Sequence, residues 1–179
     1  MARGTRSGLA MALVIAACVV LPSSAPASSR PTVDDETKQQ LTVAARSLLE
    51  RRSQALVEQP RRHAKQSPSE VLGVRISPMV VRNQDRALRE LANRNRAPVE
   101  GGPAYTGART RLKADRAVRT GDRITLEATE HTEVRYENGR LTQSVRRRFE
   151  FTTQGEQITL VAERVLDPAV HPLNDPDHH

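Results

Sequence analysis

The stretch Ala128-Thr129-Glu130-His131-Thr132-Glu133-Val134-Arg135-Tyr136-Glu137-Asn138-Gly139-Arg140-Leu141-Thr142-Gln143-Ser144-Val145 reads as one β-hairpin, and it decides the fold. Asn-Gly between two alternating runs marks a two-residue turn whose central residues both take φ > 0. A turn at Asn138-Gly139 pairs Glu137 with Arg140 and fixes every later pair. Tyr136 then faces Leu141, Val134 faces Gln143, Thr132 faces Val145, Glu130 faces Arg147, Ala128 faces Phe149 and Leu126 faces Phe151. Side chains alternate along a strand, so these residues share one face. The other face pairs Glu133 with Ser144, His131 with Arg146 and Thr129 with Arg148. One mostly apolar face and one charged face describe a sheet buried on one side. The register has one unfavourable pair, Glu127 opposite Glu150, because like charges directly opposite are destabilising.

Outward from the hairpin, Gly107 to Leu166 reads as an antiparallel meander of four strands. A turn at Gln154-Gly155 pairs Phe151 with Ile158, Phe149 with Leu160 and Arg146 with Glu163. The strand from Ala108 to Arg119 joins through a longer turn, or a bulge near Gly121, that sets Val118 beside Ile124 and Ala114 beside Ala128. Upstream, apolar residues at helical spacing (Leu41, Ala45, Leu48, Ala55, Leu56) predict a helix over about Val33–Val57 with Thr32 as its cap. Val71, Val74 and Ile76 form a short apolar segment ended by Pro78, and a second helix is predicted over Asn83–Asn93 with Ala87, Leu88 and Leu91 facing inward. Helices followed by a meander mean an α+β domain with its helices on one face of the sheet.

Arg3 and Arg6, an apolar run from Leu9 to Leu21, and Ala25-Pro26-Ala27 make residues 1–27 a signal peptide, followed by a tether at 28–32. Ile15-Ala16-Ala17-Cys18 also resembles a lipobox, which would make Cys18 a lipidation site and the protein an envelope lipoprotein. Cleavage after Ala27 removes two of the 28 basic residues and no acid, lowering the net charge of +7 by two. Cys18 is the one cysteine, so the mature chain, without a transmembrane segment, has no disulfide, thiol nucleophile or cysteine metal site. With no Trp, two Phe and two Tyr, the core of residues 33–166 must be built from Leu, Val, Ile and Ala. Residues 167–179, with Pro168, Pro172 and Pro176, read as a flexible tail.

Two helices ahead of strands joined by Arg119-Thr120-Gly121-Asp122-Arg123 resemble the NTF2-like (SnoaL-like) cone fold, here with about four main strands. More narrowly, Tyr105-Thr106-Gly107-Ala108-Arg109-Thr110, Gly121-Asp122 and Glu130-His131-Thr132 are similar to an accessory domain of secreted, actinobacterial amidase-like proteins. The resemblance runs from Val33 to Leu173 and does not include the family's catalytic domain, so it transfers no catalytic residue. It implies an exported binding or accessory domain at or outside the cell envelope, with a separate amidase-like protein as partner; the mild positive charge suits an anionic envelope polymer, and no cofactor is expected.

Folds of that kind keep a pocket between sheet and helices, and the resemblance points it at Glu130 and Arg147. Thr132, Tyr136 and Gln143 lie on the same face. A pocket carboxylate is either a proton-transfer base in a small isomerase- or cyclase-like enzyme, or half of a structural ion pair. His131, Arg146 and Glu163 form a row on the opposite face, readable as a charge ladder or a binding patch. Alternation splits Arg146-Arg147-Arg148 between two faces, and no aromatic platform accompanies it, so nucleic acid is not the expected partner. His171, His178 and His179 fall in the expected flexible tail, without the fixed geometry or supporting partners of a metal site.

Overall fold

The computed structural model describes residues 32–57, 67–94 and 102–176. The expected signal peptide, Cys18 and most of the tether lie outside the described residues.

Helix α1 spans Asp35–Ala55 and is capped by Asp34, whose carboxylate accepts from the Thr37 amide at 2.8 Å. Asp35 and Glu36 stand at the positive end of its dipole. The expected cap, Thr32, is instead engaged in an antiparallel bridge with Val118. Two short strands follow, β1 (Glu70–Val71) and β2 (Val74–Ile76), joined at Leu72-Gly73 with φ of 49° and 76°. Positive φ at both central residues is the geometry of a type I′ turn. Helix α2 spans Pro78–Arg94. Pro78 therefore opens this helix, where its missing N–H costs nothing, rather than closing the segment before it.

Strands β3 (Tyr105–Thr120), β4 (Arg123–Tyr136), β5 (Gly139–Gln154) and β6 (Gln157–Val165) form the expected meander. Among the described residues the sheet has six strands in the order β1-β2-β6-β5-β4-β3, and β2 runs parallel to β6, so it is mixed rather than purely antiparallel. Both helices pack on one face, and the curved sheet and helices make an α+β domain. The main core joins Leu41, Leu48 and Leu49 of α1 to Val74, Ile76, Ile124, Leu126, Phe149, Phe151 and Leu160 of the sheet.

The two tight turns expected in the meander are each displaced by one residue, and the first connection is a tight two-residue turn where a longer one is expected. The three turns lie at Gly121-Asp122, Glu137-Asn138 and Gly155-Glu156. Gly121 and Gly155 take φ of 60° and 59° at the first central position, as in a type II′ turn. Gly139 has no positive φ and begins β5. The β4–β5 register consequently shifts by two residues: Val134 faces Leu141, Leu126 faces Phe149 and Ile124 faces Phe151. A shift of two preserves the faces. It also removes the Glu127–Glu150 conflict, since Glu127 now faces Arg148, which donates to it at 2.6 Å.

Bulges account for the other departures. Asp115 is an extra residue in β3, so Ala114 faces Ala128 as expected, while the tight turn sets Val118 opposite Thr125 rather than Ile124. Val161 is an extra residue in β6, between the pairs Phe151–Leu160 and Glu150–Ala162. Beyond it Glu163 faces Phe149 and points to the buried side. Bulges bend a strand and increase its twist.

The segment after Leu166 does not extend away as a linker. It folds back over the sheet and buries Leu173 and Asn174. The Leu173 amide donates to Gln143 Oε1, and Gln143 Nε2 donates to the His171 carbonyl, each at 2.9 Å.

A buried ionic cluster as candidate functional site

Alternation puts Glu130 (β4) and Arg147 (β5) on the buried face, and the observed register makes them diagonal rather than direct neighbours. Arg147 Nε donates to Glu130 Oε2 at 2.5 Å, and each side chain is 1% exposed. Sequence reasoning placed this pair on one face; of the two, Arg147 borders a recess at the edge of the cluster and Glu130 does not.

The rest of the cluster comes from four other elements. The Val161 bulge aims Glu163 inward, where it accepts from Arg147 Nη1 at 2.8 Å. Arg52 continues the inward stripe of α1 one turn beyond Leu48 and grips Glu163 with both Nη atoms, at 3.0 and 2.7 Å. Its Nε donates to Gln84 of α2 at 2.7 Å, and Gln84 donates to the Leu48 carbonyl. Asp175, from the folded-back segment, accepts from Arg52 at 2.7 Å and from Arg147 at 2.9 and 3.0 Å. Its neighbour Asn174 donates to Glu130 Oε1 at 2.6 Å. Thr132 donates to the same oxygen at 3.1 Å and links on to Thr110.

Three carboxylates thus share two guanidiniums. Burial by itself would lower the pKa of Arg147, but the fields of Glu163, Glu130 and Asp175 outweigh it and the net shift is upward. For Arg52 burial is likewise outweighed by Glu163 and Asp175. Asp175 is pushed up by burial and pulled down more strongly by Arg147 and Arg52, so its carboxyl ionises below its ordinary range. Mutual pairing thus holds Arg52, Arg147 and Asp175 charged where burial alone would oppose it.

A general base must reach a substrate proton. Glu130 is fully buried, and its two oxygens already accept from Arg147, Asn174 and Thr132. Gln143 is committed to the folded-back segment, and Tyr136 stands at the hairpin end against Gly139, outside the cluster. Glu130, Arg147 and Gln143 of the candidate set therefore converge, but on residues 171–175 of the chain itself, while Thr132 supports Glu130. A recess of about 600 Å³ meets the cluster from outside, lined by Arg52, Arg147, Glu163 and Asp175 together with Arg86 and Arg164. Among the described residues no three His, Cys, Asp or Glu side chains converge as a metal site.

The row His131, Arg146 and Glu163 does not form. His131 faces Ser144 and bonds to it at 2.8 Å, Arg146 faces Thr129, and Glu163 is on the other face. Reasoning from sequence missed Arg52, Gln84, Asn174 and Asp175. Arg52 was findable, because it falls four residues after Leu48 on the apolar stripe. Nothing local announces Asp175.

No protein-family model and no curated protein matches the chain. Among solved structures, the intermembrane space region of the chloroplast protein ARC6 is similar, with 16% identity and a TM-score of 0.48. The likeness covers 76% of this chain and 98% of that one, and is too slight to carry an argument. No helix among the described residues is long and apolar enough to cross a membrane.

Proposed function

We propose that the chain is an exported, non-catalytic binding or accessory domain of NTF2-like type, acting at or outside the cell envelope. One observation carries the non-catalytic part: the best candidate base, Glu130, is buried and saturated by donors from its own chain. The signal-like N-terminus supports export, and a curved sheet with helices on one face suits an NTF2-like cone. Anionic partners suit the reading, because exposed cations dominate the outer face of β3.

Two measurements test it. N-terminal sequencing of exported protein should give a start near Ser28. A start at an acylated Cys18 would make it a lipoprotein, and cytoplasmic protein retaining Met1 would overturn export. A thermal-shift screen against small apolar ketones and anionic cell-wall polymers should find polymer ligands alone, responding equally in wild type and Glu130→Gln. A ketone that stabilises wild type and not that variant would restore the enzyme reading.

A further inference from the structure

Strand β3 ends the sheet and is sixteen residues long. Its outer edge is bridged only by Thr32, opposite Val118, among the described residues. The other end of the sheet is the two-residue β1. Short edges are a common protection against unwanted pairing, and a long one is a template.

A groove of about 700 Å³ runs along this edge. One wall is six consecutive residues, Ala108 to Lys113, and the other is Arg46, Glu50 and Gln54 of α1. Consecutive strand residues point to opposite faces, so a groove touching all six follows the strand's edge, where backbone N–H and C=O groups face outward. Six residues span about 20 Å, the length of an ordinary strand. On the outer face of this segment stand Arg109, Arg111 and Lys113, all exposed, while Thr110 and Leu112 between them are buried. Among the described residues neither Arg111 nor Lys113 has a carboxylate within ion-pairing distance.

We propose that this edge docks an extended segment of another protein, carrying Asp or Glu at alternate positions, as a seventh strand. An added strand sets its outer-face side chains opposite Arg109, Arg111 and Lys113, and opposite charges so placed attract. Acids at i, i+2 and i+4 match all three. Charge disfavours a second copy of this chain as occupant: antiparallel self-pairing about Arg111 sets Arg111 against Arg111 and Arg109 against Lys113. The inference rests on the binding-domain reading and gives that domain its partner class.

The test is fluorescence anisotropy of the full mature protein with a labelled nine-residue peptide alternating Glu with Thr or Val. Three comparison ligands are the same residues with the acids clustered, the alternating peptide N-methylated along one edge, and poly(glycerol phosphate). The alternating peptide should bind best, and clustering or N-methylation should each weaken it about tenfold or more. Arg111→Glu with Lys113→Glu should abolish binding and leave the urea midpoint in place, both side chains being exposed. Hydrogen exchange of Ala108–Lys113 should slow on binding. Equal binding of alternating, clustered and N-methylated peptides would overturn strand docking, since only diffuse attraction would remain. Binding of poly(glycerol phosphate) alone would overturn it and leave the binding-domain reading standing. No binding by any ligand would remove both and leave the cations as edge protection.

Discussion

Arg147→Met is the most informative single change. The arginine donates to Glu130 at 2.5 Å, to Glu163 at 2.8 Å, to Asp175 at 2.9 and 3.0 Å and to Asn174 at 3.3 Å. Hydrogen bonds to charged groups contribute about 1.5–3 kcal/mol each, but summing them overcounts because they share acceptors. Arg52 still holds Glu163 and Asp175 in the variant, so the orphan is Glu130, buried with only Asn174 and Thr132 as donors. Leaving one buried charge uncompensated costs about 3–5 kcal/mol, a large share of the roughly 5–15 kcal/mol that holds a typical domain together. Adding Glu130→Leu removes the orphan and should recover half or more of the loss. In wild type the lowered pKa of Asp175 contributes stability that is complete above its unfolded value of about 3.9 and is lost as pH falls through the folded one. The chain has no Trp, so urea unfolding is followed by far-ultraviolet circular dichroism. A loss below about 1 kcal/mol, or a double variant no better than Arg147→Met, would refute a cluster held by mutual pairing.

Asp175→Ala should be gentler, about 1–3 kcal/mol by urea unfolding, because Glu130 and Glu163 still balance the two arginines. Phe149→Ala should lower stability by about 3–5 kcal/mol, against at most about 0.5 for exposed Arg146→Ala, read from urea midpoints. Gly155→Val should cost about 1–2 kcal/mol, because φ is 59° there. Gly139→Val should stay within about 1 kcal/mol, since its Cβ meets only the far end of the Tyr136 ring, at 3.0 Å, which can swing aside; melting temperatures decide between the two.

Faces were legible in the sequence where registers were not. Alternation is a property of each strand alone, so Leu126, Phe149 and Phe151 were placed inside whatever their partners. Register depends on turns, and Asn138-Gly139 looked like the strongest turn signal, yet glycine serves there as the first strand residue. The unfavourable Glu127–Glu150 pair was the available clue, and the true register converts it to Glu127–Arg148. The Val161 bulge could not be read, because an extra residue changes no composition while reversing the face of everything after it. That is why Glu163 was assigned to the surface. The last segment was misread for a different reason. Proline spacing describes local stiffness, whereas Leu173, Asn174 and Asp175 are held by partners on α1, β4 and β5, 28 to 125 residues away in sequence.

The cations of this chain divide by what their surroundings leave for them to do. Arg147 has its guanidinium donors satisfied inside the protein, and Arg52 is bound to Gln84, Glu163 and Asp175. Any ligand seeking those donors must displace a carboxylate already seated with no further loss of chain freedom, so the cluster is poorly suited to capture anions from solution. Arg111 and Lys113 begin from water, and exchanging water for a carboxylate there displaces nothing built. The gain per pair is small, because exposed pairs contribute only about 0–1 kcal/mol. Such pairs give useful affinity only when a backbone ladder adds to them and sets their spacing. The groove along β3 supplies that ladder, which is why the N-methylated peptide, more than any charge reversal, separates a docking strand from a merely basic surface.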